Sequence, residues 1–191
     1  MVSTRAHKTE FPPPDLSPSK DKSLTRTPTR SRTSTKWTHT PDPYTLLWLF
    51  VSLPLVIWDA IYVLLRPHTM PGGSLSWPLY TPYVLYGQVD YIYGQKAWEE
   101  HNGFTAAQTA LNVFETAGYL GYLWVVWQHG QGEQRTLPSA WGGVACLTGF
   151  ALSVLTVSKT VLYLLNEVFS GFSNIGHNDP FTLMFLWIIP K

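Results

Sequence analysis

Three long apolar runs dominate the chain, at residues 44–65, 104–127 and 141–165, and each carries one charged position: Asp59, Glu115 and Lys159. A helix of 22 residues extends about 33 Å at about 1.5 Å per residue, enough to cross a bilayer core. All three runs are therefore predicted transmembrane helices. A fourth apolar stretch, FTLMFLWIIP, is followed by Lys191. At about ten residues it falls short of a helical span, so a fourth span over 181–191 is expected to be short or truncated. The fold class that follows is an all-α membrane protein, a bundle of four transmembrane helices with the last one incomplete.

The remaining segments are of two kinds. Residues 66–103 are dense in Pro, Gly, Tyr and Trp, which form turns and sit at membrane interfaces. A short helix at headgroup level is expected within 83–101, anchored by Tyr83, Tyr86, Tyr93 and Trp98. Residues 1–43 instead mix Ser, Thr and Pro with Lys or Arg at positions 5, 8, 20, 22, 26, 30, 32 and 36, against Glu10, Asp15, Asp21 and Asp42, a net charge of 8 − 4 = +4. Too few apolar residues offset the entropy of ordering such a segment, and a disordered basic tail is predicted, with the membrane domain at 44–191. No apolar core of a secretory signal lies near Met1.

Charge also sets orientation. Positively charged flanks tend to stay cytoplasmic, which puts the tail and the 128–140 loop in the cytoplasm and the 66–103 and 166–179 connections in the lumen. The expected location is a multi-pass membrane position with a cytoplasmic N-terminus.

Candidate chemistry comes from polar groups inside the runs. Ionisable side chains there cost roughly 2.5–3.5 kcal/mol each and usually face a cavity or a partner. Gln108, Asn112, Glu115, Tyr119 and Tyr122 are spaced 4, 3, 4 and 3 apart and share one helical face. Thr156, Thr160, Tyr163 and Glu167 form a similar stripe, with Lys159 one residue off it. Asp59 has Trp58 beside it and Tyr62 one turn on. Three such stripes can meet in a central pocket.

Two uses of that pocket are consistent with the residues. The three charges can neutralise one another and hold the helices together. Alternatively, two acids against one lysine leave one carboxyl unmatched, and burial would keep it protonated and able to protonate an alkene while a second base removes a neighbouring proton. Trp58, Tyr119, Trp124, Tyr163 and Trp187 are candidates to stabilise the carbocation between those steps.

Several classes find no support. There is no phosphate-cradling glycine loop and no Cys/His metal spacing, and the adjacent Glu99, Glu100 and His101 do not converge on one ion. No metal, cofactor or nucleic acid is implied. Cys146, the single cysteine, excludes an internal disulfide and is expected to be a buried, inert thiol.

The strings WDAIYVLLRPHTMPGG, VDYIYG, GFTAAQTALNVFETAGYLGYLWVV and SKTVLYLLNEVFSGFSNIGHNDPFTLMFLWIIP, in this order, resemble the EXPERA domain family over nearly all of 44–191. This is the four-span module of the sterol Δ8-Δ7 isomerase, also called emopamil-binding protein, and of the sigma-2 receptor; uncharacterised fungal members share the PHTMPGG and GHND stretches. The resemblance implies an endoplasmic-reticulum membrane protein with a sterol- or terpenoid-like ligand. It also implies Asp59 and Glu115 as the catalytic acid/base pair of a double-bond isomerase, or as lining of a receptor's ligand pocket. The pocket is expected to be completed by Trp58, Tyr62, Gln108, Asn112, Tyr119, Tyr122, Thr156, Lys159, Tyr163 and Trp187. Leu55 stands where the isomerase has a histidine, the chain ends at Lys191 about where its last span supplies an asparagine, and Lys159 has no basic counterpart in it.

The leading expectation is an isomerase acting on a sterol or, in a fungus, a secondary metabolite. The alternatives are a non-catalytic lipid-binding or trafficking protein of the sigma-2 type and an inactive truncated homologue. Whether the chain forms a homodimer is left open.

Overall fold

The computed structural model describes residues 36 to 189. These are largely helical and contain no β-strand, only two isolated bridges, His39 with Leu137 and Gln131 with Thr136. Three long helices, α1 (Pro43–Leu64), α4 (Phe104–His129) and α5 (Ser139–Phe169), form the body; two short ones, α2 (Pro82–Val89) and α3 (Gln95–Glu99), lie in the connection after α1. The last element begins as α6 (Pro180–Thr182) and continues as π-helix over Leu183–Ile188.

Local signals explain the ends. Asp42 caps α1 by accepting from the Thr45 amide at 3.0 Å, and Pro43 opens the helix where no amide partner is needed. Asp179 does the same for α6, accepting from the Phe181 and Thr182 amides at 2.9 and 3.1 Å. Gly171, at φ 66°, lets the chain leave α5 while the Phe172 amide returns to the Glu167 carbonyl at 2.7 Å.

Helix α4 is central and packs on both α1 and α5. Gly118 lets α5 approach, since a Cβ there would lie 2.7 Å from a Leu152 methyl. One apolar core joins Leu49 and Leu53 to Tyr122, Val125, Val126 and Ala145. A second gathers Tyr62, Val63, Met70, Tyr80 and Tyr83 where α1 meets the connection, and a third joins Val89 and Ile92 to Tyr163, Ile175 and Trp187.

Helices α1 and α5 are long and apolar enough to cross a membrane. Large apolar side chains such as Leu47, Phe50, Leu147, Leu162 and Val168 face outward from them, as a bilayer-covered surface requires. Two spans of this kind support a membrane protein. Helix α4 is less apolar than these two, because its polar stripe dilutes the apolar run.

Four expectations are corrected. The tail was expected to be disordered through residue 43; residues 1–35 lie outside the described ones, but the His39 amide and carbonyl bond to Leu137 at 3.2 and 2.7 Å, fixing the chain before α1. The expected interfacial helix is two short helices, and Tyr83, Tyr86 and Tyr93 turn inward instead of anchoring at a surface. The third run continues as helix to Phe169, which brings Glu167 inside the protein, where the Asn166 and Asn174 amides donate to its Oε1 at 3.3 and 2.8 Å. Cys146 is exposed, one residue round from Ala145, which takes the buried face.

Candidate functional site

The polar residues inside the helices assemble into two distinct groups. The first surrounds Asp59. Tyr83 on α2 donates to its Oδ1 at 2.7 Å, and the Tyr93 hydroxyl lies 3.5 Å from its Oδ2. Tyr83 is itself stacked on Tyr62 with ring centroids 3.7 Å apart, and Trp58 leans on Tyr83 at 4.9 Å. Burial pushes the Tyr83, Tyr86 and Tyr93 phenols well above their usual range, and the negative charge of Asp59 adds to it for all three. They are neutral hydrogen-bond donors, not bases.

This group forms one wall of a cavity of about 530 Å³, within the range of about 300–1,000 Å³ usual for small-molecule sites. Leu55 and Trp58 of α1, Tyr83 and Tyr86 of α2, Asn112 of α4 and Leu186 of the π-helix are among its lining. Apolar and aromatic surface predominates, with Asp59 as its charged group.

The second group crosses from α4 to α5. Lys159 forms an ion pair with Glu115 and also donates to the Asn112 side-chain oxygen; Thr156 donates to the other Glu115 oxygen. Gln108 donates to the Lys159 carbonyl at 3.2 Å, and the Tyr119 hydroxyl stands 3.3 Å from that of Thr156. Glu115 is only 7% exposed. The stripe read from spacing on 104–127 is therefore real in its Gln108, Asn112, Glu115 and Tyr119 positions, and its partner is α5.

The expected central pocket, with Asp59 facing Glu115, is not how these residues sort. Asp59, Trp58 and Asn112 line the aromatic cavity, while Glu115, Lys159 and Gln108 are tied together between α4 and α5. Tyr119, Tyr122 and Thr156 line a second, more open groove of about 770 Å³, bounded also by His39, Tyr44, Trp48 and Gly149. Tyr62, Tyr163 and Trp187 line neither. Tyr62 is a core residue whose hydroxyl donates to the Tyr93 carbonyl at 3.3 Å.

Tyr163 and Trp187 instead converge on a residue that sequence reading passed over. Asp90, with no exposed surface, accepts from the Tyr163 hydroxyl at 2.5 Å, the Trp187 indole at 2.8 Å and the Ile92 amide at 3.2 Å. It fixes the π-helix, and so Leu186, against the rest. Arg66 was likewise missed: it is buried, donates to Thr105 at 3.1 Å and to the Tyr93 carbonyl at 3.3 Å, and lies over the Tyr62 and Tyr93 rings at 5.2 and 5.5 Å. The available signal was a lone acid set among tyrosines at 86, 91 and 93.

No group of three or more His, Cys, Asp or Glu side chains able to hold a metal occurs among the described residues. No family model, curated protein or solved structure matches this chain.

Proposed function

We propose that the chain is a multi-span membrane protein of EXPERA type that binds a sterol- or terpenoid-like lipid in the cavity beside Asp59 without shifting its double bonds. The observation that carries this reading is the sorting of the two acids. A double-bond shift needs one group to protonate the alkene and another to deprotonate a neighbouring carbon. Asp59 faces the cavity, while the charge of Glu115 is matched by Lys159 outside it. Four spans including 181–191, an endoplasmic-reticulum location and a cytoplasmic N-terminus belong to the same proposal. The spans rest on the apolar runs, the orientation on the +4 charge of the first 43 residues, and the location on the resemblance alone.

Isomerisation is the second reading, favoured by the aromatic faces of Trp58, Tyr83, Tyr86 and Tyr93 around Asp59, which would stabilise a carbocation. Purification followed by lipid extraction and mass spectrometry separates the two. A binding protein yields one unchanged lipid that Asp59→Asn releases; an isomerase yields paired isomers and restores Δ7 sterols in cells lacking their own isomerase. Recovery of no enriched lipid would end both readings.

A further inference from the structure

The aromatic cavity and the open groove occupy successive halves of the helices. Along α1 the groove takes Tyr44, Thr45, Trp48 and Leu49, and the cavity takes Leu55, Val56, Trp58 and Asp59. Along α4 the groove takes Tyr122 and Tyr119 and the cavity takes Asn112, so that Glu115 falls between them. Along α5 the groove runs from Ala145 to Val157, thirteen residues or about 18 Å of helix, roughly half a bilayer.

The Glu115–Lys159 pair is thus a partition with a polar contact on each side. Towards the groove, Glu115 is bonded to Thr156, which lines that groove with Tyr119. Towards the cavity, Lys159 is bonded to Asn112, which lines the cavity with Asp59. At the far end of the groove His39 lies 3.2 Å from the Tyr122 hydroxyl. Ionisable groups retained in spans commonly mark ion pathways and proton relays.

We infer that the Glu115–Lys159 pair is the central station of a proton path across the membrane, fed from the Tyr119–Thr156 groove and emptied into the Asp59 cavity. The inference rests on the membrane-spanning reading of the bundle and not on the identity of the bound lipid. A proton from groove water neutralises the Glu115 carboxylate and frees the Lys159 ammonium. When the cavity holds no lipid, the ammonium passes a proton, by way of the water that fills it, to the Asp59 carboxylate and becomes a neutral amine. The Glu115 carboxyl then protonates that amine, the ion pair re-forms, and Asp59 releases its proton on the far side. One proton crosses per cycle, no co-reactant is consumed, and a pH difference drives it in either direction.

The test uses the full chain in phosphatidylcholine vesicles holding a pH-sensitive dye, with a potassium gradient and valinomycin to draw protons across. Dye response about tenfold or more faster than in protein-free vesicles is expected, a factor well above experimental scatter. The paired substitution E115Q with K159M removes both charges without stranding either, so the bundle stays folded and the flux should fall to the protein-free rate. E100Q, in the exposed connection, should leave it unchanged. Protein that resists alkaline extraction and binds its lipid, but when freed of lipid conducts no faster than empty vesicles, or no faster than the paired variant, overturns the relay while leaving the proposed function standing. Protein that washes off the vesicles overturns both.

Discussion

The Tyr83 hydroxyl on α2 donates to the Asp59 carboxylate on α1 at 2.7 Å, tying the connection after the first helix directly to the charged group of the cavity. Removing the phenolic oxygen while keeping the ring isolates that bond. Tyr83→Phe should cost about 1.5 kcal/mol, the usual worth of a bond to a charged acceptor, and should show as a lower thermal midpoint in detergent. Ring stacking on Tyr62 is retained in this variant, so an unchanged midpoint would mean that the bond contributes nothing.

Breaking the α4–α5 ion pair one partner at a time should be far worse than removing both. Lys159→Met leaves Glu115 buried and unmatched and should cost about 3–5 kcal/mol, whereas E115Q with K159M recovers most of that loss. A double-mutant cycle by thermal unfolding measures the coupling; additive losses would show that the two side chains do not act as a pair.

Asp90 should be among the least replaceable residues. Asp90→Ala strands the Tyr163 hydroxyl, the Trp187 indole and the Ile92 amide, each worth about 1–3 kcal/mol when buried without a partner. Hydrogen exchange in the Leu183–Ile188 segment should rise first, because Trp187 is its buried attachment. Equal exchange in the variant and the parent would remove Asp90 from its role as a fixed point.

The buried phenols set an alkaline limit. Tyr83, Tyr86 and Tyr93 are pushed above the ordinary value of 10.0 by burial, so the folded state holds their protons where an unfolded chain would lose them. Their contribution to stability is complete below about pH 10 and declines as pH rises beyond it. Ultraviolet titration should find phenolate from these three only together with unfolding; a smooth titration in the folded protein, as for free tyrosine, would contradict their burial.

The long helices were legible because hydropathy acts locally. The expected runs at 44–65 and 104–127 differ from α1 and α4 by no more than two residues at either end. Spacing also identified the polar face of α4, since a helical repeat is a property of one segment. Which face meets which helix is not such a property. Glu115 was expected either to face Asp59 or to be neutralised by Lys159, and it pairs with Lys159, whose long side chain reaches it although it lies off the Thr156–Tyr163 line. Tyr122 was grouped with the pocket, yet it belongs chiefly to the core around Leu49 and Val125. Asp90, Arg66 and the inward-turned tyrosines sit in a connection with no periodicity to read, and their roles arise only from contacts distant in sequence.

Leu186 contributes to the cavity from the far end of the chain, held there by the neighbouring Trp187 on Asp90. The cavity wall is therefore closed by residues about 130 positions apart, Leu55 and Leu186, and its integrity depends on a hydrogen bond outside it. Loosening the Trp187 indole from Asp90 opens one side of the cavity while α1, α4 and α5 stay packed, so the segment at 183–188 is the part of the wall that can move without unfolding the rest.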